Sequence, residues 1–449
     1  MRLISLSLLL SISFCQSFIN PQRPQIHLLK WEEINSNQIL TSKVAPLVNF
    51  NLYSSRITSF YFSENKSDGI LKSEIFPEVS INNNDGTRIR FYGSAGITLS
   101  ERLSIQNEFE FDNKGENDPH FQGIERGLEN GWVGYLQHSS LTYNYSLGHL
   151  SIGRGNPYFY NMNESLFLNS NFPPTEYVWW QHKNQWLQFD WGILMLNQEE
   201  SLNRFITFHR YGITKNNWRV GFTEAVMGSY ENWGASETGY IMPAAVLLET
   251  EENRGTNANL MWLLDGMVKW NNWTFYGELL IDDFAIDGQS PPQIAGSFGF
   301  GKKFGKTLYN IEYTRINRWT GNYCDTTHIH TWIERNVPIG HSIGSDAHNL
   351  LISSYFPFNE KLAVELSFNW KEDGGGTALE RLKDWPDDVP CETNFGYISE
   401  VFPSVSNITS SGETKFYYII QDWMLAEIQI SVNKKMPPLF KTTFSFHLD

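Results

Sequence analysis

Apolar and polar residues alternate along many short stretches of this chain. In residues 103–112 every even position is polar, while Leu103, Ile105, Phe109 and Phe111 occupy odd positions. The same period of two recurs in residues 187–195, 273–282, 307–316, 362–371, 428–432 and 440–448. Successive side chains of a β-strand point to opposite faces, so this pattern predicts strands throughout the chain.

Two architectures contain many such strands: a soluble sandwich or propeller, and an outer-membrane barrel. The apolar faces are rich in Phe and Trp, and the strand ends carry Tyr and Trp. The chain is 15% aromatic, with 16 Trp, 20 Tyr and 31 Phe, as aromatic girdles at a membrane interface require. We therefore predict an all-β fold, a transmembrane outer-membrane β-barrel of roughly 16 to 18 antiparallel strands.

The ends of the chain differ from this pattern. Arg2 and the apolar run that ends at Phe14 predict a signal peptide over residues 1–17. Processing as a lipoprotein at Cys15 is the alternative. Residues 18–44 are expected to form a short periplasmic segment or partial plug, and residues 45–449 the barrel, whose first strand begins near Leu47. Long loops are predicted near residues 112–131, 317–348 and 371–414.

The charge of the chain excludes some classes of partner, and its cysteines bear on a possible disulfide. A net charge of -15 opposes binding to nucleic acid and to anionic headgroups, because Coulomb repulsion acts against both. Beyond the signal peptide no window approaches the ~20 apolar residues that a spanning helix needs. Cys324 and Cys391 could form a disulfide in an exported chain, and the sequence leaves that pairing open.

Four short motifs follow one another in the middle of the chain. Residues 147–172 read LGHLSIGRGNPYFYNMNESLFLNSNF, a strand that ends in Gly-Arg followed by a Leu-Phe-Leu-Asn-Ser-Asn segment. The others are Tyr276 to Asp283, Ile311 to Arg315, and Gly340 to Ala347. In these motifs and their order the chain resembles the Wzi family of capsule-assembly proteins, and the resemblance covers residues 130–350.

The resemblance implies a barrel of about eighteen strands that acts as a lectin for exported capsular polysaccharide, without catalysis. Family members carry a helical bundle before the first strand. Residues 19–44 are too few for such a bundle. The partners expected are capsular or other surface polysaccharide and outer-membrane lipid, with no nucleic acid, and we expect a monomer.

The stretch from Thr307 to Leu351 joins a wall strand to a loop that is rich in aromatic and His residues. Trp side chains can stack on the C–H faces of sugars, and polar side chains at the rim can bind hydroxyls. The predicted glycan-binding residues are Trp319, His328, His330, Trp332, His341, Asp346 and Trp385. His328 and His330 would share one face of a strand at the rim. With Cys324 and Asp325 they could hold a metal, but their spacing fixes no third ligand, so no metal site is assigned.

Charged residues on the polar faces are expected to form a salt-bridge network inside the barrel. Its predicted members are Arg154, Arg210, Glu278, Asp282, Glu312 and Arg315. No cofactor is expected. An acidic protein that binds an anionic glycan would need divalent cations, so in that case we expect Ca²⁺ to bridge the carboxylates. A neutral glycan would need none.

Two other functions remain open from the sequence. A porin for sugars or other small solutes would use the same barrel. An enzyme at the rim could use His341, Ser342, Ser345 and Asp346, but these residues lack a diagnostic spacing. We therefore expect no enzymatic activity.

Overall fold

The computed structural model describes most of the predicted barrel. The described residues are 48–49, 71–82, 86–100, 102–115, 132–159, 164–169, 172–184, 186–199, 201–231, 239–243, 246–254, 258–283, 293–321, 329–335, 337–359, 361–374, 407–421, 424–433 and 436–446. The predicted signal peptide, the segment 18–44, Cys324 and Cys391 lie outside them.

The elements within these ranges are almost all strands. They are β1 (Val48–Asn49), β2 (Leu71–Asn82), β3 (Gly86–Thr98), β4 (Leu103–Asp112), β5 (Val133–Tyr145), β6 (Gly148–Gly155), β7 (Tyr158–Phe159), β8 (Thr175–Lys183), β9 (Leu187–Glu199), β10 (Leu202–Lys215), β11 (Trp218–Tyr230), α1 (Leu247–Arg254), β12 (Asn259–Trp270), β13 (Trp273–Asp283), β14 (Gln293–Phe304), β15 (Thr307–Ile316), β16 (Ile333–Glu334), β17 (Val337–Pro338), β18 (Ala347–Pro357), β19 (Leu362–Asp373), β20 (Asn407–Gln421), β21 (Met424–Asn433) and β22 (Met436–Phe446). Strand predominance confirms the predicted all-β class.

Eighteen of these strands form a closed antiparallel barrel. Each wall strand pairs with the next one along the chain, and β22 returns to pair with β2, with Glu78 opposite Ser445. This number agrees with the predicted 16 to 18 strands. The first described wall strand begins at Leu71, and β1 pairs instead with β7, outside the barrel sheet. In the described part of the chain, no α-helix has the length and apolarity that a membrane span requires.

The connections differ in length at the two ends of the barrel. One end carries short turns, such as residues 146–147, 216–217 and 271–272, and the other carries the connections 113–132, 231–258, 317–346 and 374–406. Outer-membrane barrels place short turns in the periplasm and long loops outside the cell, so the long connections mark the outer mouth. Strand residues extend into the interval 371–414 that was predicted as a loop, because β19 ends at Asp373 and β20 begins at Asn407.

The two faces of the wall follow the alternation in the sequence. In β4, Gln106, Glu108 and Glu110 are buried in the barrel, whereas Phe109 is 36% exposed on the outer surface. The same division appears in β19, where Phe368 is 44% exposed. An outward apolar face and an inward polar face are the arrangement that a lipid-facing wall requires.

One long connection folds back over the outer face of the wall. Glu224 of β11 accepts hydrogen bonds from the backbone amides of Leu247 (2.8 Å) and Leu248 (3.1 Å), at the start of α1. Thr207 of β10 donates to the carbonyl oxygen of Tyr240 (3.0 Å). These contacts cover two polar residues on the outer face of the wall, Glu224 and Thr207, which would otherwise be exposed there.

Candidate functional site at the outer mouth

Two connections fold into the barrel at its outer mouth, and together we call them the mouth plug. The plug consists of the described residues 164–169 and 172, between β6 and β8, and 329–335 and 337–346, between β15 and β18. Their backbone leaves the wall at the rim and turns inward, so side chains that would face water pack against the inner surface of the wall.

The plug has an apolar core. Phe167, Leu168 and Phe172 are fully buried. The ring of Phe167 lies 5.7 Å from that of Phe208 in the wall and 5.5 Å from that of Trp332 in the second segment. Inward residues of the wall complete the cluster, among them Trp179, Leu194, Ile206, Met261 and Leu280. Apolar burial of this size holds both segments in place.

Wall carboxylates anchor the backbone of the plug. Glu278, near the middle of β13, accepts hydrogen bonds from the Leu166 amide (2.7 Å) and from the Ser165 hydroxyl (3.1 Å). Asp282, nearer the rim, accepts from the amide of Gly321 (2.8 Å), which precedes the second plug segment in the same connection. The two carboxylates therefore satisfy loop amides that have no strand partner.

Arg204 of β10 anchors the second plug segment. Its guanidinium donates to the carbonyl oxygens of Ile329 (2.7 Å), Thr331 (2.8 Å) and Ile333 (2.8 Å). The guanidinium also lies 3.9 Å from Glu334, and both side chains are fully buried. Because one planar cation satisfies three carbonyls, it fixes the path of residues 329–333.

Burial shifts the proton affinity of charged groups in the plug. It raises the pKa of Glu334 above its usual range, against the opposing effect of Arg335. It lowers the pKa of Arg335 to about 10, which leaves this side chain charged at neutral pH. The Glu334 carboxylate also accepts a hydrogen bond from the Asn197 amide (3.1 Å), which ties the plug to β9.

His341 is buried between the plug and the rim. Its Nδ1 accepts a hydrogen bond from the Ile343 amide (3.3 Å) and lies 3.3 Å from the carboxylate of Glu164. Burial lowers the pKa of His341, only partly offset by Glu164, so the ring is neutral near pH 7. Glu164 also accepts from the Ser342 amide (2.8 Å), so this carboxylate joins the two plug segments, with the ring of His341 buried beside it.

Low pH should weaken the contact between the two plug segments at His341. With its pKa below the ordinary 6.5, His341 binds fewer protons in the closed plug than in an opened one. Its contribution to closure is therefore complete above that value and is lost as pH falls below it. We expect limited proteolysis of the folded barrel to cut the plug faster at about pH 5.5 than at about pH 7.5. His341→Asn keeps an acceptor for the Ile343 amide and should abolish the difference; an unchanged difference would contradict the role of His341.

Close approach of the two plug segments depends on Gly340. A Cβ at this position would lie 2.2 Å from the carbonyl oxygen of Leu166, so only glycine fits there. Gly344 differs, because its φ of +68° places it in a left-handed turn.

The predicted glycan-binding residues fall into different environments. Trp332 is 5% exposed and donates from its indole to the Phe167 carbonyl (3.0 Å), so both ring faces are occupied by protein. His330 is buried, 3.1 Å from the hydroxyl of Ser229, in a turn and not in the expected strand. With His341, these residues hold the plug together, which does not support their predicted contact with sugar.

The remaining predicted contacts lie at the rim or outside the described residues. Trp319 is half-buried, with the Arg318 guanidinium 5.3 Å from its ring centroid. Asp346 is buried, has a left-handed φ of +60°, and lies 4.0 Å from Arg318. His328 and Trp385 lie outside the described residues. Within the described part of the chain, no group of three metal-binding side chains is present.

Arg210 forms the centre of an ionic network in the lumen. Its guanidinium contacts both carboxylate oxygens of Asp265 (3.2 and 3.1 Å) and one of Asp190 (3.5 Å), and all three side chains are buried. A Cβ at Gly221 would lie 2.1 Å from the guanidinium, so glycine makes room for this pair. Glu312, also predicted for the network, accepts a hydrogen bond from the Tyr276 hydroxyl (3.2 Å).

Two predicted lumen residues lie on the other side of the wall. Arg154 points outward and pairs with Glu176 (2.5 Å), whose side chain is 62% exposed. Arg315 stands beside Thr314, which is buried in the lumen, so it also faces outward; its register partner is His348. Both positions correct the prediction, and the reason is parity: successive strand residues alternate faces. Glu278 and Asp282 accept hydrogen bonds from loop amides.

Sequence reasoning missed Arg204, Glu334 and Phe167. Arg204 shares its face of β10 with the apolar Ile206 and Phe208. The sequence did contain a signal for Arg204, because a cation on an apolar inward face needs hydrogen-bond acceptors from another part of the chain. No comparable signal marks Phe167, which could have been one of many lipid-facing aromatics.

Known proteins resemble this chain in structure but not in sequence. The sequence matches no family model and no curated protein. Wzi of Escherichia coli, described as a carbohydrate-binding β-barrel involved in group 1 capsule assembly, has a similar structure, with a TM-score of 0.56 and 11% identity over 85% of this chain and 84% of that chain. The outer membrane protein OpdK of Pseudomonas aeruginosa aligns with a TM-score of 0.49 and 9% identity, over 84% of this chain and 99% of that chain.

The likeness to Wzi shows the fold. The chain has the fold of an outer-membrane β-barrel, and the apolar outer face of its closed wall places it in the outer membrane of the cell.

Proposed function

We propose that this protein is a non-catalytic, lectin-like barrel that binds exported capsular or other surface polysaccharide during capsule assembly and holds it at the outer membrane. The mouth plug is the observation that carries the proposal. A barrel whose mouth is narrowed by an anchored apolar plug is suited to presenting a fixed surface, whereas a porin keeps a wide water-filled channel. The carbohydrate binding of Wzi and the sequence motifs that resemble its family agree with this choice.

Anchoring of the plug also favours binding over transport. Glu278 and Arg204 satisfy the plug backbone from the wall, so opening the mouth would leave buried amides and carbonyls without partners. A binding surface gains from such rigidity because less conformational entropy is lost when the ligand is held. Rapid passage of sugars would instead favour a mouth without an anchored plug.

Glycan binding and conductance separate the two functions. The refolded full-length barrel is applied to an array of neutral, amino-containing and uronate-containing oligosaccharides, and in parallel inserted into planar bilayers. We expect glycan binding together with conductance far below that of an open barrel of similar strand number. High steady conductance with no glycan bound would reject the proposal in favour of a porin.

A further inference from the structure

The lumen wall has two sectors that differ in their access to water. Around β9 to β12 the inward charged side chains of Asp190, Arg210 and Asp265 are buried, and we call this part the dry sector. On β19 to β21 seven inward polar side chains are partly exposed, and we call this second part the wet sector; its members are Glu365, Glu413, Lys415, Tyr417, Glu427, Gln429 and Ser431. Glu413 and Lys415 retain 28% and 27% of their side-chain exposure. The apolar core of the plug packs against the dry sector, whereas its contact with β19 lies nearer the outer rim, where Lys371 donates to the carbonyl of Ile343 (3.1 Å).

The wet sector is a continuous polar surface. In β19 and β20, Glu365 stands directly opposite Lys415, which in turn faces Gln429 of β21. Their neighbours Leu366 and Phe416 are exposed on the outer face, so these polar residues face the lumen.

Hydrogen bonds already orient the polar groups of this surface. The Tyr417 hydroxyl donates to Glu365 (2.9 Å), and the Ser431 hydroxyl donates to Glu413 (3.1 Å). Lys415 lies 2.8 Å from Glu413, and Gln429 also donates to that carboxylate. Because the groups are partly exposed and held in place, they can exchange water for ligand hydroxyls at little cost in desolvation or ordering.

We propose that the wet sector is the glycan-binding surface of the protein, and that the ligand is a hydroxyl-rich glycan without carboxylates. This inference rests on the function proposed above and assigns its site and ligand class. The carboxylates of Glu365, Glu413 and Glu427 outnumber the ammonium groups of Lys415 and of Lys441, which faces the lumen from β22 opposite Gln429. The surface therefore keeps a net negative charge, which repels uronates, and it accepts hydrogen bonds from neutral sugars. The ring of Tyr417 adds an apolar plane for the C–H face of a sugar.

Ligand class determines the dependence on divalent cations. A neutral glycan needs no cation to bridge it to the wall, so chelator should leave binding unchanged. This outcome differs from the Ca²⁺ requirement that an anionic glycan would impose.

Three substitutions test the site. Glu413→Gln removes the charge and Tyr417→Ala removes the ring and hydroxyl, and each is expected to weaken binding of the best neutral oligosaccharide on the array about tenfold or more. Tyr417→Phe removes only the hydroxyl, and it replaces the alanine variant in the test if that variant folds poorly. Glu176→Gln is the matched control, because it makes the same chemical change on the outer face and should leave the Kd unchanged. Heat-dependent migration on gels shows that each variant is folded.

The outcomes distinguish this inference from the proposed function. If the wild-type barrel binds neutral glycans and the folded wet-sector variants bind equally well, the site is wrong and the function stands. If the wild type binds only uronate oligosaccharides, or loses binding in chelator, the ligand class is wrong. A wild-type barrel that binds no oligosaccharide overturns both.

Discussion

Replacing Arg204 with Met should release the second plug segment and open the mouth of the barrel. The substitution removes three hydrogen bonds to the carbonyls of residues 329, 331 and 333, and leaves those acceptors buried. It also leaves Glu334 without one of its two cationic neighbours. Breaking a buried charged contact by removing one partner costs about 3–5 kcal/mol, which is enough to populate an opened plug.

Conductance and proteolysis measure that opening. We expect Arg204→Met to raise conductance in planar bilayers and to make residues 329–346 accessible to protease, while the barrel remains folded. Adding Glu334→Gln should recover part of the loss, because a neutral amide replaces the buried carboxylate that has lost one of its two cations, while Arg335 keeps its hydrogen bond to Asn197 (3.2 Å). Arg154→Met is the matched control: its partner Glu176 is exposed, so the change should cost less than about 1 kcal/mol. A closed mouth in Arg204→Met would show that apolar packing and the remaining hydrogen bonds hold the plug without this cation.

Replacing Arg210 with Met should destabilise the wall itself. The change leaves the carboxylates of Asp190 and Asp265 buried without their shared cation, at a cost of about 3–5 kcal/mol. Gln181 and Gln188 still donate to Asp190 (2.8 and 2.7 Å), which limits the loss on that side. The effect should appear as a lower urea midpoint for unfolding from lipid vesicles, with the m-value unchanged.

A combined variant identifies the cause of this destabilisation. Arg210→Met with Asp190→Asn removes one cation and one carboxylate and leaves Asp265 beside the buried Arg219, whose charge lies near it. The double variant should restore most of the urea midpoint, because a neutral amide is far cheaper to bury than an unpaired carboxylate. If it is as unstable as Arg210→Met, loss of packing around the guanidinium and not unpaired charge explains the effect.

The strands could be predicted because their signal is local. Residues 103–112 and 307–316 coincide with β4 and β15, and β13, β19 and β21 lie where alternation placed them. A lipid-facing wall requires apolar side chains on one face, so the period of two survives in the sequence whatever the neighbouring strand is. The strand number followed from chain length and strand length for the same reason.

The residues of the lumen network show what alternation along a strand can predict and what it cannot. Arg154 and Arg315 were assigned to the lumen because a cation was expected beside the lumen carboxylates, although each shares its face of the strand with outward neighbours, Ile152 and Tyr313. Had alternation been applied to these two strands, both would have been placed outside. Arg210, Glu278 and Glu312 lie on inward faces, yet their partners, Asp265 for the arginine and a loop amide for Glu278, were not predictable from spacing.

The sequence by itself determined the barrel, its approximate size and which residues of each strand face lipid, because these properties depend on side chains two positions apart. Tertiary structure alone decided that the loops after β6 and β15 turn inward, and that Trp332, His330 and His341 hold a plug. Those contacts join residues far apart in the chain, 113 positions for Ser165 with Glu278 and 125 for Arg204 with Ile329. Alternation within a strand carries no information about such contacts. The loop sequences would show the same pattern if these residues were exposed to water.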